Sequence, residues 1–257
     1  MANHSEESST SGRRSFMRRL HYWWSLFCAG ALLGVLGPPI LLFSWLVNKH
    51  ELVYPWASFG ARVWLRLSGV RIKVRGLELL DPKQPYVFVS NHRSYLDTAA
   101  MFVYTGRRIG VLAKKELLKV PVLGVGMGFV NVMAIDRTNR ESAIRTTEAA
   151  AKRIQSGVSF AVFVEGTRAK PGELLPFKKG AFYMARQAGV PVVPVAIKNS
   201  DVLMGKGTGE ARAGTIEMVM MSPVETVGVS TDEDMNRLIA DVRDRIAAEL
   251  RQDSQDL

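Results

Sequence analysis

A single cysteine, Cys28, stands among 257 residues, which excludes an intrachain disulfide and any cysteine-based metal cluster. Histidine is nearly as scarce. His4, His21 and His50 lie in or beside the N-terminal segment, so His92 is the only imidazole in the 207 residues after position 50. No cluster supplies three good metal ligands, and no Gly-x-Ser-x-Gly elbow is present. Gly124, Gly126 and Gly128 lack dinucleotide-binding spacing, and Gly205, Gly207 and Gly209 with Lys206 do not make a phosphate-binding P-loop. Formal charge is missing altogether from Tyr22 to Val47, a run of 26 residues long enough to span a bilayer core.

What is present is a globular composition, 47% hydrophobic and 23% charged, with 34 basic against 24 acidic residues and a net charge of +10. That excess implies an anionic partner: nucleic acid, an anionic membrane or a phosphorylated substrate. No nucleic-acid-binding module accompanies it, and the apolar N-terminus explains it better, so no nucleic-acid partner is expected. The chain divides into a polar, basic tail over 1–20, disordered up to Arg13, a membrane-associated helical segment over 21–69, and an α/β domain over 70–257.

Two features shape the N-terminal segment. Pro38 and Pro39 remove two backbone donors and disfavour helix at Gly37, which predicts a break into two short helices. Basic residues flank both sides, with Arg13, Arg14, Arg18 and Arg19 before the run and Lys49, Arg62, Arg66, Arg71, Lys73 and Arg75 after it. The positive-inside rule gives no winner for one crossing, whereas a hairpin dipping into one leaflet places both flanks on the cytoplasmic face. The hairpin is the favoured reading, with a single span as the alternative. Trp56, Phe59, Val63, Trp64 and Leu67, set among Arg62 and Arg66, predict an interfacial amphipathic helix within 51–70.

Beyond Gly69 strand-like runs recur at 70–75, 86–90, 109–113, 130–135, 159–164, 192–197 and 215–221, with helix-like runs at 95–104, 140–155, 179–187 and 232–252. Alternation of this kind predicts an α/β fold with a largely parallel mixed sheet flanked by helices. Leu203 to Gly214, rich in glycine and charge, reads as a mobile loop. In such sheets ligands gather beyond the carboxyl ends of the strands. There the sequence places Asn91 and His92, Lys114 and Lys115, Asp136 and Arg137, and Glu165 to Arg168.

Asn91-His92-Arg93-Ser94-Tyr95-Leu96-Asp97 is the most informative stretch. On a helix, residues five apart sit roughly 140° apart around the axis, so His92 and Asp97 could not share a face. They meet only across a bend: a strand ending near Ser90, a turn through Arg93 and Ser94, and a helix starting near Tyr95. Asp97 then accepts from one ring nitrogen and leaves the other free to take a proton. Taken alone, the same residues also suit a strand-end histidine that caps a helix. Phe163-Val164-Glu165-Gly166-Thr167-Arg168 ends another strand with a turn where Glu165 and Arg168 either pair with each other or offer an anion site.

Together these blocks resemble the glycerolipid acyltransferase family, and most closely its 1-acylglycerol-3-phosphate acyltransferases. The first stretch is similar to the family's His-x4-Asp block. Val132-Met133-Ala134-Ile135-Asp136-Arg137 resembles its second block, residues 163–168 its third and Val190-Pro191-Val192-Val193-Pro194-Val195 its fourth, across roughly residues 70 to 200. Val164 departs from the pattern, since many members carry proline there. The resemblance implies acyl transfer from an acyl thioester, on coenzyme A or acyl carrier protein, to the sn-2 hydroxyl of a lysophosphatidate, giving phosphatidate. It also implies His92 as base, Asp97 as its partner, Arg168 and Lys114 on the acceptor phosphate, Glu165 and Gly166 around the glycerol, and Arg137 and Thr167 among the substrate-binding residues. No cofactor beyond the thioester co-substrate is implied. Ser94 as nucleophile is a rival route. Glycerol 3-phosphate, another lysophospholipid or a lyso-amino-acid lipid are alternative acceptors, a non-catalytic adaptor for anionic lipid is an alternative class, and a lipid hydrolase is disfavoured by the missing elbow. The expected setting is a membrane, with the catalytic domain on its cytoplasmic face.

Overall fold

The computed structural model describes residues 3–136 and 138–252. Its first two helices are α1 (Asn3–Leu46) and α2 (Val53–Leu67). Then follow β1 (Val70–Arg75), β2 (Val87–Ser90), α3 (Leu96–Tyr104), β3 (Ile109–Lys114), α4 (Leu123–Met127), β4 (Val132–Ile135) and α5 (Arg140–Gln155). The chain continues through β5 (Ser159–Phe163), α6 (Gly180–Ala188), β6 (Val192–Lys198), α7 (Ser200–Met204), β7 (Gly214–Met220) and α8 (Asp232–Gln252).

All seven strands join one sheet in the order β1-β7-β6-β2-β5-β3-β4. Every pairing is parallel except β6 with β7. The largely parallel mixed sheet predicted from the alternation is therefore present, and the carboxyl ends of β6, β2, β5, β3 and β4 share one edge. Side chains alternate across it with the two-residue period of a strand. Phe88 of β2 enters one core with Leu65, Leu96, Ala100 and Met101 from α2 and α3. Val87 and Val89 enter the other, with Ile154, Phe182, Met184, Met235 and Val242 from α5, α6 and α8. Covering both faces accounts for strands that are apolar on both sides, such as β6, all seven of whose residues are buried.

The predicted break at Pro38-Pro39 is absent. α1 runs unbroken through both prolines, and the reversal comes at Val47 to Leu52, where the amides of Val47, Asn48 and Lys49 bond to Phe43, Trp45 and Ser44 carbonyls. Two missing donors free two carbonyls of one turn, a loss a helix tolerates among apolar neighbours when the ladder continues on either side. Gly37 answers to packing instead: a Cβ there would overlap Val122 Cγ1.

α1 and α2 pack antiparallel. Trp64 donates to the Ser25 carbonyl at 2.9 Å, Ser25 and Ser68 hydroxyls lie 2.7 Å apart, and Trp24 donates to the Leu67 carbonyl at 3.0 Å. Phe16, Trp23, Phe27, Val35, Phe43 and Trp45 of α1, with Trp56 and Phe59 of α2, face outward and exposed. Residues 12–46 are long and apolar enough to cross a membrane. Exposed aromatic and aliphatic side chains along a helix pair are what a membrane-associating surface presents.

The segment read as a mobile loop is pinned. Arg212 N bonds to the Leu203 carbonyl at 2.9 Å, Ala211 N to the Arg18 carbonyl at 3.0 Å and Lys206 N to the Arg93 carbonyl at 3.2 Å, and Ala211 is buried. One backbone bond within the segment and two to distant ones, at Arg18 and Arg93, hold a sequence whose glycines suggested freedom.

Candidate active site

β2 ends at Ser90 and α3 starts at Leu96, so the intervening turn folds Asp97 back on His92 as the spacing predicts. Asn91 anchors the turn to β6: its amide donates to the Ile197 carbonyl at 2.9 Å and its side-chain oxygen accepts from Ile197 N at 2.8 Å. Asp97 is fully buried in the first turn of α3, where the helix N-terminus favours negative charge. Three donors converge on its Oδ2, namely Arg93 N at 2.7 Å, Ser94 N at 2.8 Å and His92 Nδ1 at 2.9 Å. A carboxylate is acceptor-only, so Nδ1 carries the proton and Nε2 presents a lone pair. Nε2 has no hydrogen-bond partner among the described residues. The ring stacks on Phe163 with centroids 3.9 Å apart and planes 17° apart, which fixes its plane. The imidazole is 16% exposed, open enough for a reacting group to reach.

The turn after β5 supplies the second half. Glu165 is buried and its two oxygens accept from different backbone amides, Oε1 from His92 N and Oε2 from Leu175 N, both at 2.7 Å. Burial raises its pKa, opposed by these amide bonds. Ala169 N donates to the His92 carbonyl at 2.7 Å, closing a second link between the two turns. Gly166 sits at φ +71°, a left-handed conformation that costs glycine little. Thr167 is exposed at the tip. The Arg168 guanidinium lies 3.7 Å above the Tyr95 ring, and its carbonyl accepts from Lys206 Nζ at 2.6 Å. The alternative of a direct Glu165–Arg168 pair is not realised: Glu165 is engaged with amides, and Arg168 with an aromatic face.

Structure thus brings His92, Asp97, Glu165, Gly166, Thr167 and Arg168 into two bonded turns. Lys114 lies further along the same sheet edge, at the end of β3, exposed and 3.4 Å from Glu116. Arg137 falls outside the described residues. Ser94 makes a poor nucleophile: it is fully buried, and its hydroxyl donates to the Met204 carbonyl at 2.8 Å while accepting from Leu96 N at 3.2 Å. Sequence reasoning missed Phe163, Tyr95, Lys206 and the Arg93 network. Arg93 is buried, with Nε donating to the Glu173 carbonyl at 3.0 Å and Nη1 to Asp201 Oδ2 at 3.2 Å. The arginine inside the His/Asp block was the available signal, though nothing local tells that it is buried or names its partner 108 residues away. Among the described residues no His, Cys, Asp and Glu group is suited to a metal ion.

A buried carboxylate, an oriented imidazole and a guanidinium share the carboxyl edge of a parallel sheet, an arrangement suited to moving a proton beside an anionic group. The acyltransferase family model matches residues 71–198, which spans both turns. The chain is 31% identical over 242 residues to the 1-acyl-sn-glycerol-3-phosphate acyltransferase of Saccharomyces cerevisiae, covering 91% of this chain and 79% of that one. It is 38% identical over 168 residues to the human 1-acyl-sn-glycerol-3-phosphate acyltransferase alpha, covering 65% of this chain and only 59% of the human protein. The crystal structure of the 1-acyl-sn-glycerophosphate (LPA) acyltransferase PlsC from Thermotoga maritima superposes with a TM-score of 0.79 at 26% identity, covering 93% of this chain and 98% of that one. This chain belongs to the acyltransferase family of the 1-acyl-sn-glycerol-3-phosphate acyltransferases.

Proposed function

We propose that the protein transfers an acyl group from a thioester, on coenzyme A or acyl carrier protein, to the sn-2 hydroxyl of 1-acylglycerol 3-phosphate, forming phosphatidate for phospholipid synthesis. The observation that carries the reading is the 2.9 Å bond between His92 Nδ1 and the buried Asp97, with Nε2 left unbonded. His92 Nε2 takes the hydroxyl proton as the oxygen attacks the thioester carbonyl, and Asp97 stabilises the imidazolium that forms. The tetrahedral intermediate collapses, the carbon–sulfur bond breaks, and the proton passes from His92 to the departing thiolate. A thiolate leaves readily, so no acyl-enzyme is required. Arg168 and Lys114, with Arg137, bind the acceptor phosphate, for which a guanidinium fork suits two oxygens at once. Glu165 acts through the backbone, tying the phosphate-binding turn to His92, while Gly166 and Thr167 shape the glycerol side.

The lie of α1 supports a one-leaflet setting. It touches the domain from Arg18, whose carbonyl accepts from Ala211 N, to Leu41, whose Cδ2 lies 3.8 Å from where a Gly126 Cβ would stand. At 1.5 Å per residue those 23 steps cover about 35 Å of helix held against protein. A perpendicular crossing would strip α1 from these contacts, which supports immersion of the α1–α2 pair in one leaflet with the domain on the cytoplasmic side, where the thioester is found. The leaflet and its lysophosphatidate are thus the expected partners.

Mass analysis of the lipid product, with lysophosphatidate, glycerol 3-phosphate and other lysophospholipids offered in parallel, tests the acceptor. Phosphatidate as the dominant product is expected, and preference for another acceptor overturns the assignment. Protease access to the C-terminus only in inside-out vesicles is expected for the cytoplasmic face, and access only in right-side-out vesicles contradicts it.

A further inference from the structure

We infer that residues 114–125, from the last residue of β3 into α4, form a second docking element that enters the same anionic leaflet as the α1–α2 pair. The inference rests on the one-leaflet reading of that pair and extends it to the edge of the sheet that carries the candidate site.

Leu117, Leu118, Val120 and Val125 are 39%, 53%, 38% and 65% exposed. Four large aliphatic side chains within nine residues, all facing outward, is a grouping a soluble surface avoids. Lys114, Lys115 and Lys119 are interspersed with them, against one acid, Glu116, so the segment carries a net +2. Aliphatic side chains beside long-stemmed ammonium groups match an anionic leaflet, with carbons below the headgroups and charges among the phosphates.

Position adds a second argument. The segment abuts α1: a tight turn at Val122, closed by a 2.7 Å bond from Leu123 N to the Pro121 carbonyl, sets Val122 against Gly37. On α1 the exposed Val35, Leu42 and Phe43 (69%, 56% and 56%) lie within two turns of that contact along the helix, on the side turned away from Val122. The segment is thus held against the same helix whose outward face carries the exposed apolar residues. At its other end Lys115 Nζ bonds Asp136 Oδ2 at 2.5 Å, tying it to the end of β4. Since β5 alone separates β3 from β2, the segment leaves the sheet about 10 Å from the end of the His92 strand. Docking here sets the site at the bilayer surface, where a lysolipid hydroxyl need rise only a short way to meet His92.

The test places an environment-sensitive fluorophore at Leu118→Cys or Val125→Cys in the full chain with Cys28→Ser. The protein is reconstituted into phosphatidylcholine vesicles with and without phosphatidylglycerol, carrying lipids spin-labelled on the acyl chain. Phe43→Cys reports the α1 face, and Val227→Cys, 79% exposed and outside both elements, reports solvent. Quenching at 118 and 125 within about twofold of that at 43, stronger with phosphatidylglycerol, is the expected result. Quenching no greater than at 227 overturns the inference. So does shielding from aqueous iodide without lipid quenching, which would mean a protein partner or a second copy. Loss of quenching at 43 as well instead sinks the one-leaflet reading beneath it. A Leu118→Asp, Val125→Asp double variant should lose about tenfold in activity on vesicle-borne acceptor and keep its rate on a monomeric short-chain acceptor. Equal loss on both would contradict a docking role.

Discussion

Replacing Asp97 by asparagine isolates the charge behind His92 from the shape of its site. The side chains are nearly isosteric, so the amide oxygen can occupy the place of Oδ2 and keep the bonds from Arg93 N and Ser94 N, at 2.7 and 2.8 Å. What is lost is the negative charge 2.9 Å from Nδ1. The imidazolium then forms without a counter-ion in a buried site, and the amide, if turned, offers its NH2 to Nδ1 and stabilises the wrong tautomer. Loss of carboxylate support of this kind costs a base about 10²- to 10⁴-fold in rate, or roughly 3–5 kcal/mol. The acceptor KM should change little, because the phosphate-binding groups are elsewhere. Stability should fall by only about 1–3 kcal/mol, the value of charge-assisted bonds exchanged for neutral ones. The assay is thiol release under saturating thioester across acceptor concentrations, with a thermal melt of each protein. A fall of less than tenfold in kcat with an intact fold would refute the reasoning, as would a large rise in KM at unchanged kcat.

Arg168→Ala removes the guanidinium from the Tyr95 face and should raise the acceptor KM by tenfold or more with a smaller effect on kcat, by loss of about 1.5–3 kcal/mol of charge-assisted bonding; unchanged KM takes Arg168 out of phosphate binding. Lys198 is 3% exposed and holds Glu249 at 2.7 Å and Glu217 at 3.7 Å. Glu249→Ala should therefore cost about 2–3 kcal/mol, less than for a fully orphaned buried charge because Glu217 remains, and lower Tm by about 4–10 °C in a melt. Asp234 closes the start of α8, and bonds from Thr231 N, the Thr231 hydroxyl and Ser230 N depress its pKa to about 2. Its contribution is complete above the ordinary aspartate pKa near 4 and is lost as pH falls through 2. The Tm gap between the native chain and Asp234→Asn should then be open at pH 6 and closed near pH 2; a gap independent of pH contradicts the capping role.

Much of this arrangement was legible because it is local. Apolar runs bounded by turn residues mark most strands and alternation of apolar with basic residues marks β1, and the five-residue step from His92 to Asp97 requires a bend wherever the chain goes. Pairing direction was not legible: β6 and β7 are antiparallel neighbours joined through α7 and the 205–213 loop, and nothing in either strand's composition declares its partner. The unbroken α1 escaped because proline's effect depends on surroundings, and the contact of Gly37 with Val122 lies 85 positions away in the chain. Glu165 falls at the expected turn, but its bonds to the His92 and Leu175 amides were not legible, since backbone amides leave no mark in a sequence. The stacking of Arg168 on Tyr95 and of His92 on Phe163 was hidden for the same reason, as both aromatics also suit a strand end or helix start.

The most direct measurement of the central claim is release of free thiol from a long-chain acyl-coenzyme A by the purified full chain in detergent, with and without lysophosphatidate, beside His92→Ala. The account predicts release that depends on the acceptor, yields phosphatidate and falls at least 10³-fold in the variant. Acceptor-dependent release that survives intact in His92→Ala would contradict it.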